Sequence, residues 1–135
     1  MEKIIYKNNT YALIIREKEQ FKKMGVDFKT ENKDLLQVGF LKHNYNHKII
    51  PHIHLKKTRK LDYCSEVLLI KKGKVKIYFF NDKGKDINQT KILNKNDVII
   101  LFKGGHGFKV IKKCEIIEIK QGPYLLDKDK KLFNA

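Results

Sequence analysis

Residues 66–81 read EVLLIKKGKVKIYFFN, an apolar run, a Lys-Lys-Gly break at 71–73, and a second run in which Val75, Ile77 and Phe79 alternate with Lys74, Lys76 and Tyr78. Alternation with period two places one set of side chains on each face of an extended chain, so both runs are strands and the glycine marks a turn. The same pattern continues in both directions. It predicts strands at Lys3 to Tyr6, Tyr11 to Arg16, Leu35 to His43, Lys48 to His54, Glu66 to Lys71, Lys74 to Asn81, Thr90 to Leu93, Val98 to Phe102, Gly107 to Ile111 and Cys114 to Lys120. Turn residues separate them, at Asn8-Asn9, Lys72-Gly73, Asn81 to Gly84, Asn94 to Asp97 and Lys112-Lys113. Only Glu17 to Gly25, with Phe21 and Met24 three apart, leaves room for one short helix or an irregular turn. Many short strands with nothing helical between them give an all-β chain, arranged as a sandwich, jelly roll or barrel. At 135 residues a single domain covering 1–135 is expected.

Thirty basic residues against fifteen acidic ones give a formal charge of +15. Arginine, the residue that reads bases and clamps phosphates in bidentate fashion, occurs only at positions 16 and 59. The lysines are scattered in ones and twos. That pattern describes a solvated basic surface with some attraction for anionic ligands, and no nucleic-acid partner is expected. Two cysteines, Cys64 and Cys114, are too few for a disulfide framework or a CxxC metal site. The N-terminal region is broken by charge every few residues and has no signal-peptide core, and no stretch is long and apolar enough to span a bilayer. The expectation is a cytoplasmic protein without a membrane partner.

Four of the five histidines fall within HNYNHKIIPHIH, residues 43–54. On a strand, His52 and His54 would share a face with Cα atoms about 6.6 Å apart, close enough for both imidazoles to reach one metal ion at roughly 2.0–2.2 Å. Ile53 would then point into an apolar layer, and Pro51 would keep the approach extended. His43 and His47 would share a face as rim groups. Glu66 opens a buried strand, where a carboxylate needs a partner. His106 lies in Gly104-Gly105-His106-Gly107-Phe108. Three imidazoles and a carboxylate form a ligand set for one divalent transition metal: Fe, Mn, Ni, Zn or Cu.

Pro51-His52-Ile53-His54, Glu66 with Gly73 seven positions on, and Asn96-Asp97-Val98-Ile99-Ile100 leading to Gly104-Gly105-His106 together resemble the two motifs of the cupin superfamily. The motifs span about residues 46–110, followed by a tail at 123–135. Asn46 and Asn96 stand where the family has glycine, Phe102 where it has proline and Val110 where it has asparagine, and eleven residues separate His54 from Glu66 instead of three or four. The resemblance implies a double-stranded β-helix, or jelly-roll, barrel with metal on His52, His54, Glu66 and His106. The GGHGF turn and EIIEIKQGPY, residues 115–124, look like a subgroup of single-domain cupins found in surface-polysaccharide and nucleotide-sugar gene neighbourhoods.

Such a metal would leave coordination positions for a small polar metabolite, a sugar, nucleotide sugar or hydroxy or keto acid, and would support isomerase, epimerase or oxygenase chemistry. The alternative is a non-catalytic cupin that binds or senses a small molecule. Lys56 and Arg59, with Lys57 and Lys60, lie in the long loop after His54 and would hold an anionic group. Tyr78 and Glu118 would contact the ligand from strands, and Tyr45, Tyr63, Lys76 and Gln121 are further candidates for proton transfer. A homodimer is expected, because small barrels of this kind expose sheet edges.

Overall fold

The computed structural model describes residues 1–134. Eight strands carry the fold: β1 (Glu2–Tyr6), β2 (Asn9–Ile15), β3 (Gly25–Phe28), β4 (Gly39–Lys42), β5 (Glu66–Phe80), β6 (Asp86–Asn94), β7 (Val98–Leu101) and β8 (Gly105–Lys120). Single 3-10 turns occupy Glu17–Glu19 and Leu126–Lys128. The protein is all-β, with a six-stranded antiparallel sheet and a separate two-stranded one. The chain packs as two compact units: the first runs Met1–Lys18 and resumes at Tyr63, and the second is Glu19–Asp62.

In the first unit the strands run β1-β2-β7-β5-β6, and β8 also pairs with β5. The β1–β2 hairpin turns on Lys7 and Asn8, both with positive φ, the geometry whose twist matches the flanking strands. β5 serves two ladders along its length. Residues 66–69 pair with β7, whereas Lys74–Phe80 pair with β6. β8 follows it throughout, its end at 115–120 on the first half and its beginning at 105–112 on the second. The register shifts between Ile70 and Val75, where both strands turn a corner. Gly73 sits there at φ +85°, and a Cβ on it would lie 2.1 Å from the Lys113 carbonyl oxygen. Only glycine fits that bend.

The bend wraps the sheet around one core, with Leu68, Ile70, Val75, Ile77 and Phe79 of β5 packed with Ile4, Ile14, Leu93 and Ile99. It also brings the outer strands β1 and β6 together. Gln89 Nε2 donates to the Ile5 carbonyl (2.9 Å), Lys91 Nζ to Glu2 Oε1 (3.0 Å) and Arg16 NH1 to the Ile92 carbonyl (2.7 Å). Side chains make this seam, and the strand pairings of the described residues trace no closed barrel. Buried Asp97 anchors the seam, accepting from Arg16 NH1 (2.7 Å) and from the backbone N–H groups of Asn94 (2.9 Å) and Glu17 (3.2 Å). Asn96 beside it takes φ 66°, as Asn46 takes 65°, both in the left-handed region that asparagine tolerates. In the tail, Phe133 packs edge-to-face on Phe80 at 5.1 Å.

In the second unit β3 and β4 pair from Gly25↔Lys42 to Phe28↔Gly39, with Phe21 edge-on to Phe40 at 5.1 Å. The structure departs from the alternation pattern at several points. Residues 48–54 form no strand, since Pro51 has no N–H for a ladder. Ile53 is 88% exposed and faces no apolar layer. Only Gly39–Lys42 of the stretch 35–43 is strand, and Gly25–Phe28 is an additional one. The two breaks at 71–73 and 112–113 are corners within long strands; neither is a reversal.

Candidate functional site

Glu66 is the first residue of β5 and His106 the second of β8. Backbone pairing puts His106 opposite Phe79, thirteen positions along β5 from Glu66. A straight strand would separate those positions by roughly 40 Å. The bend at Gly73 and the short β7-to-β8 turn cancel that separation, and His106 Nε2 lies 3.3 Å from Glu66 Oε2. Gly104, at φ +80°, makes the turn possible, because a Cβ there would meet the Tyr11 ring at 2.5 Å. The contact is not aligned as a hydrogen bond, and Oε2 is buried without a hydrogen-bond partner. The His106 imidazole holds the Glu66 carboxyl below the usual value against the opposing effect of burial, and Lys120, opposite Glu66 in the ladder, acts in the same direction.

The segment entering β5 is clamped. Gln121 Oε1 accepts from the Ser65 backbone N–H (2.6 Å), the Gln121 carbonyl accepts from Cys64 Sγ (3.7 Å), and Ser65 Oγ donates to the Phe102 carbonyl (3.3 Å). Desolvation, with the Glu66 carboxylate adding to it, pushes the Cys64 thiol up, so it stays protonated and is a poor ligand. Glu118 is exposed on β8, opposite Leu68, and its side chain contributes to the Glu66 environment. Tyr78 is half-buried on β5 with Lys76 Nζ 5.1 Å from its ring centroid. Tyr63 shares Lys103 Nζ with Tyr11.

In the second unit His52 and His54 lie edge-to-face with ring centroids 5.1 Å apart, both exposed. His52 Nδ1 is 2.9 Å from the Ile50 carbonyl. Donation from Nδ1 leaves Nε2 as the lone-pair nitrogen, the tautomer a metal takes. His43 and His47 stack face-to-face at 4.3 Å around the left-handed Asn46, with no strand beneath them. Tyr45 is fully exposed and Lys56 and Arg59 are exposed, with a long contact from Arg59 NH1 to the Lys57 carbonyl at 3.5 Å.

The four expected metal ligands therefore fall as two pairs, one in each unit. Among the described residues, no group of three or more His, Cys, Asp or Glu side chains is gathered to hold a metal ion. Two features were not anticipated from the sequence. The lysine facing Glu66 is Lys120, which only strand register reveals, and Gln121 acts as the clamp that positions Glu66. Comparison of the chain with protein-family models, with curated proteins and with solved structures gives no match.

Proposed function

We propose that the chain is a metal-binding cupin acting on a small polar metabolite, a sugar, nucleotide sugar or hydroxy or keto acid, as an isomerase, epimerase or oxygenase. In this reading the sheet bent at Gly73 is the double-stranded β-helix of that family. The observation that carries the reading is the Glu66–His106 pair. A buried carboxylate oxygen with no hydrogen-bond partner, 3.3 Å from an imidazole nitrogen, is an arrangement a cation would satisfy. Glu66 and His106 would supply one carboxylate and one imidazole to such an ion. A bound divalent ion would act as a Lewis acid on a substrate hydroxyl or carbonyl.

The protein's own groups have separate tasks. Gln121 and Ser65 fix where the Glu66 carboxylate points. Glu118, exposed beside it, is the group placed to exchange a proton with a bound substrate. Tyr78 offers a hydroxyl near the charge of Lys76, and Lys56 and Arg59 attract an anionic ligand.

The chain also acts as a homodimer in this reading. Among the described residues β8 pairs only with β5, and along this strand Val110, Ile111, Ile117 and Ile119 are each about half exposed. A second copy is the partner that would cover a long edge of this composition.

Incubating metal-loaded protein with sugars, nucleotide sugars and hydroxy or keto acids tests the activity. Product formation that stops in Glu118→Gln supports it. Saturable binding with no product reassigns the protein to the binding or sensing class.

A further inference from the structure

The second unit carries a groove of about 560 Å³ between the turn at 32–37 and the segment 57–60. That volume lies within the range that holds small ligands. One wall is braced from within. Gln37 Oε1 accepts from Thr30 Oγ1 (2.9 Å), and its Nε2 donates to the carbonyls of Glu31 (2.8 Å) and Asp34 (2.7 Å). Asp34 Oδ2 accepts from the Glu31 backbone N–H (2.8 Å), so the turn is shaped without a ligand.

The opposite wall is cationic. Lys57, Arg59 and Lys60 line it, and Lys33 adds a fourth cation from the turn, against one carboxylate, Asp34. Lys33 is paired with Glu31 at 2.9 Å, and Lys60 lies 3.7 Å from Asp62. Lys57 and Arg59 have no carboxylate partner among the described residues. One of the two arginines in the chain thus stands with its guanidinium almost unused, at a groove whose other wall is already rigid. Asn32 and Thr58 add neutral polar groups to the lining.

We propose that this groove binds the phosphate or diphosphate group of a small metabolite, with Arg59 and Lys57 as its anchors. Arg59 offers the planar fork that matches two phosphate oxygens, and Lys57 offers a point charge beside it. The proposal deepens the anion-attracting role given to Arg59 in the proposed function, and its binding step needs no metal, so it can fail or succeed independently of metal binding.

The probe is inorganic pyrophosphate, titrated calorimetrically into the full chain after EDTA treatment, at about 0.15 M salt so that diffuse surface attraction is screened. Saturable binding is expected, weakened roughly tenfold or more in the Lys57→Ala/Arg59→Ala double variant. Arg59→Lys alone should fall between the two, because it keeps the charge and loses the fork. The charge-matched control Lys83→Ala/Lys95→Ala, at turns of the other unit, should bind as the parent does. Competition separates the sources: ADP displacing pyrophosphate at lower concentration assigns the groove to nucleotides, and equal potency assigns it to a diphosphate borne by any carrier. The proposal is overturned by the absence of saturable binding, by an equal loss in the control, or by a single-stranded oligonucleotide displacing the probe far better than ADP. Metal content, measured in the same variants, should not change.

Discussion

His106 Nε2 stands 3.3 Å from Glu66 Oε2, although their ladder positions are thirteen residues apart on β5. The two meet because β5 and β8 bend together at Gly73. The fold's main distortion and its candidate chemistry are therefore one feature.

Gly73→Ala tests the corner. The new Cβ would stand 2.1 Å from the Lys113 carbonyl oxygen and 2.6 Å from that of Lys112, at a φ that alanine avoids. Backbone cannot give way as a side chain can. The expected loss is about 3 kcal/mol or more of unfolding free energy, read from urea denaturation. A loss below about 1 kcal/mol would mean that the strands do not bend there.

Arg16→Ala tests the seam between β1 and β6. It leaves Asp97, 4% exposed, without its cationic partner and removes a donor from the Ile92 carbonyl. Removing a charge-assisted partner from a buried carboxylate costs about 2–3 kcal/mol, measurable by the same denaturation. A change within about 0.5 kcal/mol, typical of surface sites, would show that the seam is ornamental.

Acid stability should report the other end of that seam. Arg16, and then Lys91, lower the Glu2 pKa to about 2. A carboxylate depressed on folding adds stability that is present above its unfolded value, near 4.5, and lost as pH falls toward 2. The melting temperature should decline across that window, and Glu2→Gln should flatten the decline. Equal slopes in parent and variant would contradict the assignment.

Light scattering checks the homodimer. The parent should run at twice the 16.0 kDa chain mass, and Val110→Asp/Ile117→Asp, which places charge on exposed apolar positions of β8, should run as the monomer. A monomeric parent contradicts the proposal.

Much of the β architecture was legible in alternation, because β6 and the second half of β5 each bury one face, with buried residues separated by exposed or half-buried ones. Asn96 and Asn46, which stand where the resembled family has glycine, both adopt the left-handed conformation that glycine would take. What sequence could not separate was a turn from a corner: Gly73 supplies the same positive φ for either, and only pairing partners distinguish them. Residues 48–54 alternate as a strand does, yet alternation describes burial, and with Ile49, Ile50 and Ile53 exposed there is no face to bury. β3 was missed because Val26, Asp27 and Phe28 make too short an alternation to stand out, and its apolar members Val26 and Phe28 are exposed. For the site, Glu66 was recognisable as a carboxylate needing a partner, whereas Lys120 faces it through register, which carries no local signature.

Metal stoichiometry tests the central proposal most directly. The purified chain, saturated in turn with Fe(II), Mn(II), Ni(II), Zn(II) and Cu(II) and then desalted, should retain close to one ion per chain by plasma mass spectrometry. Glu66→Gln and His106→Ala should each lose it while keeping the parent's β-sheet circular dichroism. A parent that retains none of these ions, or variants at Glu66 and His106 that retain the full complement, would contradict the account.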